Sequence, residues 1–158
     1  MTCLFELSIA LLITLLNGFF VMAEYSLVRI RKSRLDELIR QGKSRANTVL
    51  KMSEKLDTYL SATQLGITAS SLLLGWFGGP LLAEMFRGMF GVSAGTWYDH
   101  SLVFACAFLI IVFLHVVFGE LVPRTIALGK VEQVAMAVAY PLVFFHYLLY
   151  PCIVPFRC

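Results

Sequence analysis

The chain has 158 residues, 59% of them hydrophobic and 15% charged, with a net charge of +3 and a mean hydropathy of +0.80. Soluble domains average about 45–50% apolar and about 25% charged residues, so this composition excludes an ordinary water-soluble globule and points to a single membrane domain. Cys3, Cys106, Cys152 and Cys158 are scattered, with no CxxC or Cys/His spacing suited to zinc.

Residues 7–28 form the first apolar run, interrupted only by small polar residues and Glu24. The flank before it carries Glu6 and no Lys or Arg, unlike a secretory leader, so a retained span is expected. Residues 29–58 change character: nine Lys/Arg stand against four acids, and Leu35, Leu38, Ile39, Val49, Leu50 and Met52 recur at helical spacing. This predicts an amphipathic helical hairpin turning at Gln41-Gly42, a solvated connector against anionic headgroups rather than a nucleic-acid-binding arm. Residues 59–77 are the second expected span, uncharged but rich in Ser, Thr, Gln and Gly.

Gly78-Gly79-Pro80 opens a loop over 78–101 in which Leu81, Leu82, Met85, Phe86, Met89 and Phe90 suggest a short surface helix. Trp76, Trp97 and Tyr98 suit headgroup depth. Residues 102–122 are the third and most hydrophobic span, ending at Pro123-Arg124. Residues 131–156 are long and apolar enough to be a fourth span, but Pro141, Pro151 and Pro155 interrupt them and Tyr140, His146, Tyr147 and Tyr150 give a wet edge. A proline-broken interfacial belt helix is the favoured reading, a fourth span the alternative. The expected fold is thus all-α and integral to the membrane: three transmembrane helices, a cytoplasmic helical hairpin and the belt. Basic 29–58 belongs in the cytoplasm and 78–101 outside, which puts the N-terminus outside and the C-terminus inside a multi-pass plasma-membrane protein. Arg124 and Lys130 then fall on the cytoplasmic side, in agreement.

Ionisable residues at bilayer depth are costly and suggest function; here they are Glu24, one turn from the end of its span, and Glu120. Pro123 lacks an amide hydrogen and clashes with the carbonyl four residues back, that of Gly119. A Gly-Glu-x-x-Pro sequence therefore frees a backbone oxygen beside a carboxylate, a combination that suits a hard cation such as Mg2+. The plainer alternative is a proline kink whose carboxylate caps local amides. Thr14, Asn17, Val21 and Glu24 share one face of span one. Gln64, Thr68 and Ser71 share one of span two, flanked by Ser61, Ser70 and Gly75. Close packing, with hydroxyls bonded to their own i−4 carbonyls, is the competing explanation for these small residues. His115, one turn before Gly119, reads as a packing or hydrogen-bonding residue rather than a ligand; His100 and His146 look interfacial. No Ser/His/Asp set, nucleotide loop or HExxH is present, so an enzyme is the weaker class. A membrane anchor or dimerisation module without transport, or an ion channel, are the rivals to a transporter.

Three segments, LLNGFFVMAEYSLVRIRKSRLDEL, YLSATQLGITASSLLLGWFGGP and FGELVPRTIAL, resemble the transmembrane domain of the CorC/CNNM magnesium transporters, most specifically in NGFFVMAE and GELVPR. The resemblance implies a homodimer of three-span protomers with a belt-like juxtamembrane helix. It implies Mg2+ export driven by inward Na+ flow, and cytosolic CBS modules beyond residues 1–158. It implies a metal site from Glu120 and the Gly119 carbonyl, with Asn17, Ser70 and Thr68 as small polar ligands. Glu24, Ser71 and Gln64 stand as supporting residues or as ligands of the coupling Na+, and Pro123 as the helix break. Arg124 replaces a lysine common in bacterial relatives, and Val21 stands where several relatives carry serine, so no ligand is expected from position 21.

Overall fold

A computed structural model describes residues 2–90 and 97–153, and every element in it is helical. In chain order these are α1 (Thr2–Arg29), α2 (Lys32–Arg40), α3 (Ser44–Glu54), α4 (Leu56–Phe90) and α5 (Trp97–Leu114). A π-helical segment (His115–Leu121) then leads into α6 (Val122–Gly129) and α7 (Val131–Ile153). α1 is the central post, in contact with α3, α4, α6, α7 and the π segment.

Three stretches are long and apolar enough to cross a bilayer among the described residues: Leu7–Arg29, Phe108–Gly129 and Val131–Leu148. The chain is therefore a multi-pass, all-helical membrane protein. The first matches the expected span 7–28 and the second overlaps the expected 102–122, while the third stands in place of the expected 59–77. The segment 59–77 lies inside α4, where Ser61, Thr63, Gln64, Thr68, Ser70 and Ser71 dilute its apolar character. Conversely, α7 has the length and apolarity of a span.

The prolines also behave differently from expectation. α4 runs through Gly78-Gly79-Pro80 to Phe90, so no separate surface helix begins there. α7 passes unbroken through Pro141 and Pro151, so it is not proline-broken. An interior proline deletes one hydrogen bond, whereas leaving the helix in an apolar setting would strand several peptide groups with no water to satisfy them. The side chains of 79–104, and residues 154–156 of the expected belt, lie outside the described residues, and with them the headgroup roles of Trp97 and Tyr98 and the interfacial role of His100.

The hairpin forms as its pattern dictates. α2 ends in a paired-bond cap: the Gly42 amide donates to the Ile39 carbonyl (2.9 Å) and the Lys43 amide to that of Leu38 (3.1 Å). This requires a left-handed residue, and Gly42 supplies it at φ 81°. The apolar faces of α2 (Leu35, Leu38) and α3 (Ala46, Val49, Met52) then close onto Ala135, Val138, Ala139 and Leu142 of α7 and Phe20, Ala23 and Leu27 of α1. The α7 residues recur at i, i+3, i+4 and i+7, one stripe of a helix. Arg34 ties α2 to α7 by a forked ion pair with Glu132 (2.7 and 3.2 Å) and also pairs with Glu37. These two carboxylates, Glu132 foremost, hold its guanidinium proton even more firmly than usual.

Candidate functional site

The central feature is where α1 meets the π segment. Pro123 cannot donate to the carbonyl of Gly119, and the helix widens: the Val122 amide reaches back five residues to Val117. A π-helical turn is thus the form taken by the break foreseen at Pro123. The Gly119 carbonyl takes a donor from another helix instead, the Asn17 side-chain amide at 3.0 Å. The approach is close because of glycine on both sides. A methyl group on Gly18 would sit 3.0 Å from the Pro123 ring, and one on Gly119 would sit 3.0 Å from both Asn17 Nδ2 and His115 Nδ1.

The helix register completes the layer. Antiparallel α1 and α4 touch where Phe20 lies over Gly66, and again where Ile13, Leu74 and Ile111 cluster. Midway between these levels, Asn17 and Ser70 fall opposite each other, both buried. Ser71, next in sequence, bonds His115 Nε2 at 3.1 Å. A polar layer of Asn17, Ser70, Ser71, His115 and the Gly119 carbonyl is therefore bounded along the helix axes by apolar contacts. Within it, Asn17 Oδ1 and His115 Nδ1 are buried without hydrogen-bond partners. Orphaned polar atoms at such depth are costly, and Asn17 Oδ1 in particular is an acceptor that a cation would satisfy.

Of the residues singled out from sequence, the structure brings together Asn17 and Gly119, seats Pro123 on Gly18, and puts Ser70 and Ser71 at the same level. It does not draw in the others. Glu120 is exposed on the single chain, with no cationic partner among the described residues. Gln64 is exposed, and the exposed Thr68 spends its hydroxyl on the Gln64 carbonyl (2.9 Å), the packing behaviour that competed with a ligand role. Thr14 and Ser61 do the same with Ala10 and Asp57. Glu24 is half-buried in α1. His115, expected to pack or hydrogen-bond, bonds Ser71; sequence reasoning missed Gly18, whose signal was its place beside Asn17.

Among the described residues no three His, Cys, Asp or Glu gather in one place. The layer offers neutral oxygens and one imidazole, a donor set that suits a hard cation once a carboxylate is added.

The family model for the cyclin M transmembrane N-terminal domain matches residues 7–158. The chain is 42% identical over 139 residues to UPF0053 protein YugS of Bacillus subtilis, covering 87% of this chain and 32% of that protein. It is 39% identical over 149 residues to UPF0053 protein YrkA of the same organism, covering 94% and 34%. An uncharacterized protein of Mycobacterium tuberculosis, Rv1841c, is 41% identical over 133 residues, covering 84% and 38%. The chain spans about a third of the length of these curated relatives. The span-forming helices and these matches agree: the chain belongs to the CorC/CNNM family, as its transmembrane domain.

Proposed function

We propose that this domain carries Mg2+ across the membrane, coupled to Na+, with the ion held at the level of the Gly119 carbonyl. The observation that supports this most is the π turn, where a backbone oxygen released by Pro123 meets Asn17, whose own buried side-chain oxygen has no hydrogen-bond partner. Mg2+ gives up its water reluctantly and demands compact oxygen ligands. Asn17, Ser70 and Gly119 are the neutral contributors and Glu120 the compensating charge, with Thr68, Gln64, Ser71 and Glu24 at the margins or toward Na+.

Glu120 and the polar face of Gln64 and Thr68 are exposed on one chain. A carboxylate facing lipid is expensive, so in this reading that face meets a second copy or a water-filled vestibule. A homodimer satisfies the requirement. The basic hairpin sits in the cytoplasm, the N-terminus outside, and CBS modules follow in the full-length protein.

The test is Mg2+ flux in proteoliposomes holding the full-length protein, with and without a Na+ gradient. Flux that requires the gradient is expected. Flux indifferent to Na+ would make the domain a channel. No flux, together with no Mg2+-dependent gain in thermal stability, would leave an anchor or dimerisation module.

A further inference from the structure

Beyond the ion path, a second site lies where the hairpin meets α7. Its height relative to the bilayer follows from chain geometry. The stretches Leu7–Arg29 and Phe108–Gly129 run out of apolar residues at Arg29 and at Gly129-Lys130, and the hairpin and α7 begin directly after them. The start of α7 therefore lies at the level at which two spans leave the hydrocarbon, and the start of α3 lies against the first two turns of α7.

At that level an open cleft of about 480 Å³ has Lys43, Ser44 and Arg45 on one wall and Gln133, Met136 and Ala137 on the other. Neither Lys43 nor Arg45 has a carboxylate within ion-pairing distance among the described residues. The nearby acids, Glu132 and Glu37, are taken by Arg34, and Lys43 feels Glu132 only at longer range. Arg45 is held over the Tyr140 ring at 5.5 Å, which orients its guanidinium beside the cleft.

What distinguishes this from a diffuse basic surface is the stripe that leads away from it. Ala137, Tyr140, Phe144 and Leu148 follow one another along α7 at spacings of three and four, and all are exposed, Phe144 by 67% and Leu148 by 61%. Two cations at one end of an exposed apolar track match the two ends of an amphiphile. A free phosphate would have no use for the track.

We propose that this cleft binds the phosphate-bearing headgroup of an anionic phospholipid, with its acyl chain laid along α7. The test uses the full-length protein in detergent, titrated with short-chain phosphatidylglycerol, short-chain phosphatidylcholine or inorganic phosphate, and read by native mass spectrometry and melting temperature. Phosphatidylglycerol should be retained in preference to phosphatidylcholine. The double substitution Lys43→Gln/Arg45→Gln should weaken that retention by about tenfold to thirtyfold, the loss of two interfacial cations. A control of equal charge change, Lys32→Gln/Lys51→Gln, should leave it within a few-fold. Equal retention of the two lipids, or an equal loss in the control, would overturn the site in favour of general surface charge. Protection by inorganic phosphate as strong as that by phosphatidylglycerol would overturn the lipid assignment.

Discussion

The two halves of α1 are built on different terms. From Phe20 onward it is clamped by a continuous apolar cluster drawn from α2, α3 and α7. Before Asn17, among the described residues, Ile13 packs with Leu74 and Ile111, flanked by Ile9 and Ala10, beside a cavity of about 240 Å³ lined almost wholly by apolar side chains. The polar layer sits at the boundary between them. Among the described residues the hairpin end is therefore the packed foundation of α1, and the polar layer stands at its edge. On the proposed function, an ion held in that layer would rest against this foundation.

If that division is right, chemistry and stability should respond to different residues. Glu120→Ala should abolish Mg2+ binding in calorimetry, beyond the roughly 10–100-fold that losing an outer partner of a metal site costs. It should leave the melting temperature without Mg2+ unchanged, because the side chain is exposed. Ser70→Ala should weaken binding less. Mg2+ affinity that survives Glu120→Ala intact would remove the carboxylate from the site.

Leu38→Ala should do the reverse. Leu38 is 1% exposed at the centre of the hairpin core, so its truncation should cost about 2–5 kcal/mol in stability while Mg2+ affinity in the folded fraction holds. Parallel denaturation and calorimetry curves would separate the two. A simultaneous loss of affinity would mean that foundation and polar layer are one cooperative unit.

How much of this was legible in the chain differs element by element. The hairpin could be read because its signals are local: a glycine at the turn and apolar residues three and four apart. The link between Pro123 and the Gly119 carbonyl could be read too, since a proline acts on a fixed neighbour. That Asn17 would be the group to collect that carbonyl was not readable from geometry, because it depends on the Gly18–Pro123 approach between helices about a hundred residues apart. Nor could the sequence show that Thr68 would turn its hydroxyl to Gln64 while Ser70 turned inward, as neighbouring polar residues on one helix look alike until a partner chooses a face. The prolines of α4 and α7 misled for a related reason: proline lowers helix propensity by a local rule, and the surrounding apolar medium overrides it.

Gly66→Ala tests the boundary itself. An added methyl would stand 2.6 Å from the Phe20 ring, too close unless the ring moves. Overpacking of this kind costs about 1–3 kcal/mol. The substitution should lower the melting temperature, and Phe20→Leu in the same chain should recover part of the loss by vacating the ring's edge. Failure of the second substitution to help would show that α1 and α4 separate along their length instead of yielding at one side chain.

The smallest effect belongs to the forked ion pair of Arg34 with Glu132, outside the apolar cluster. Arg34 and Glu132 connect α2 to α7 with good geometry, yet both side chains are about two-fifths exposed. Water and salt screen such pairs, and apolar contacts already hold the two helices in place. Arg34→Gln should therefore lower the melting temperature slightly at low ionic strength, and the difference from the unsubstituted protein should vanish in high salt. A large, salt-resistant loss would mean that the hairpin is fastened by this pair rather than by Leu35, Leu38 and Val49, and the foundation would then be electrostatic.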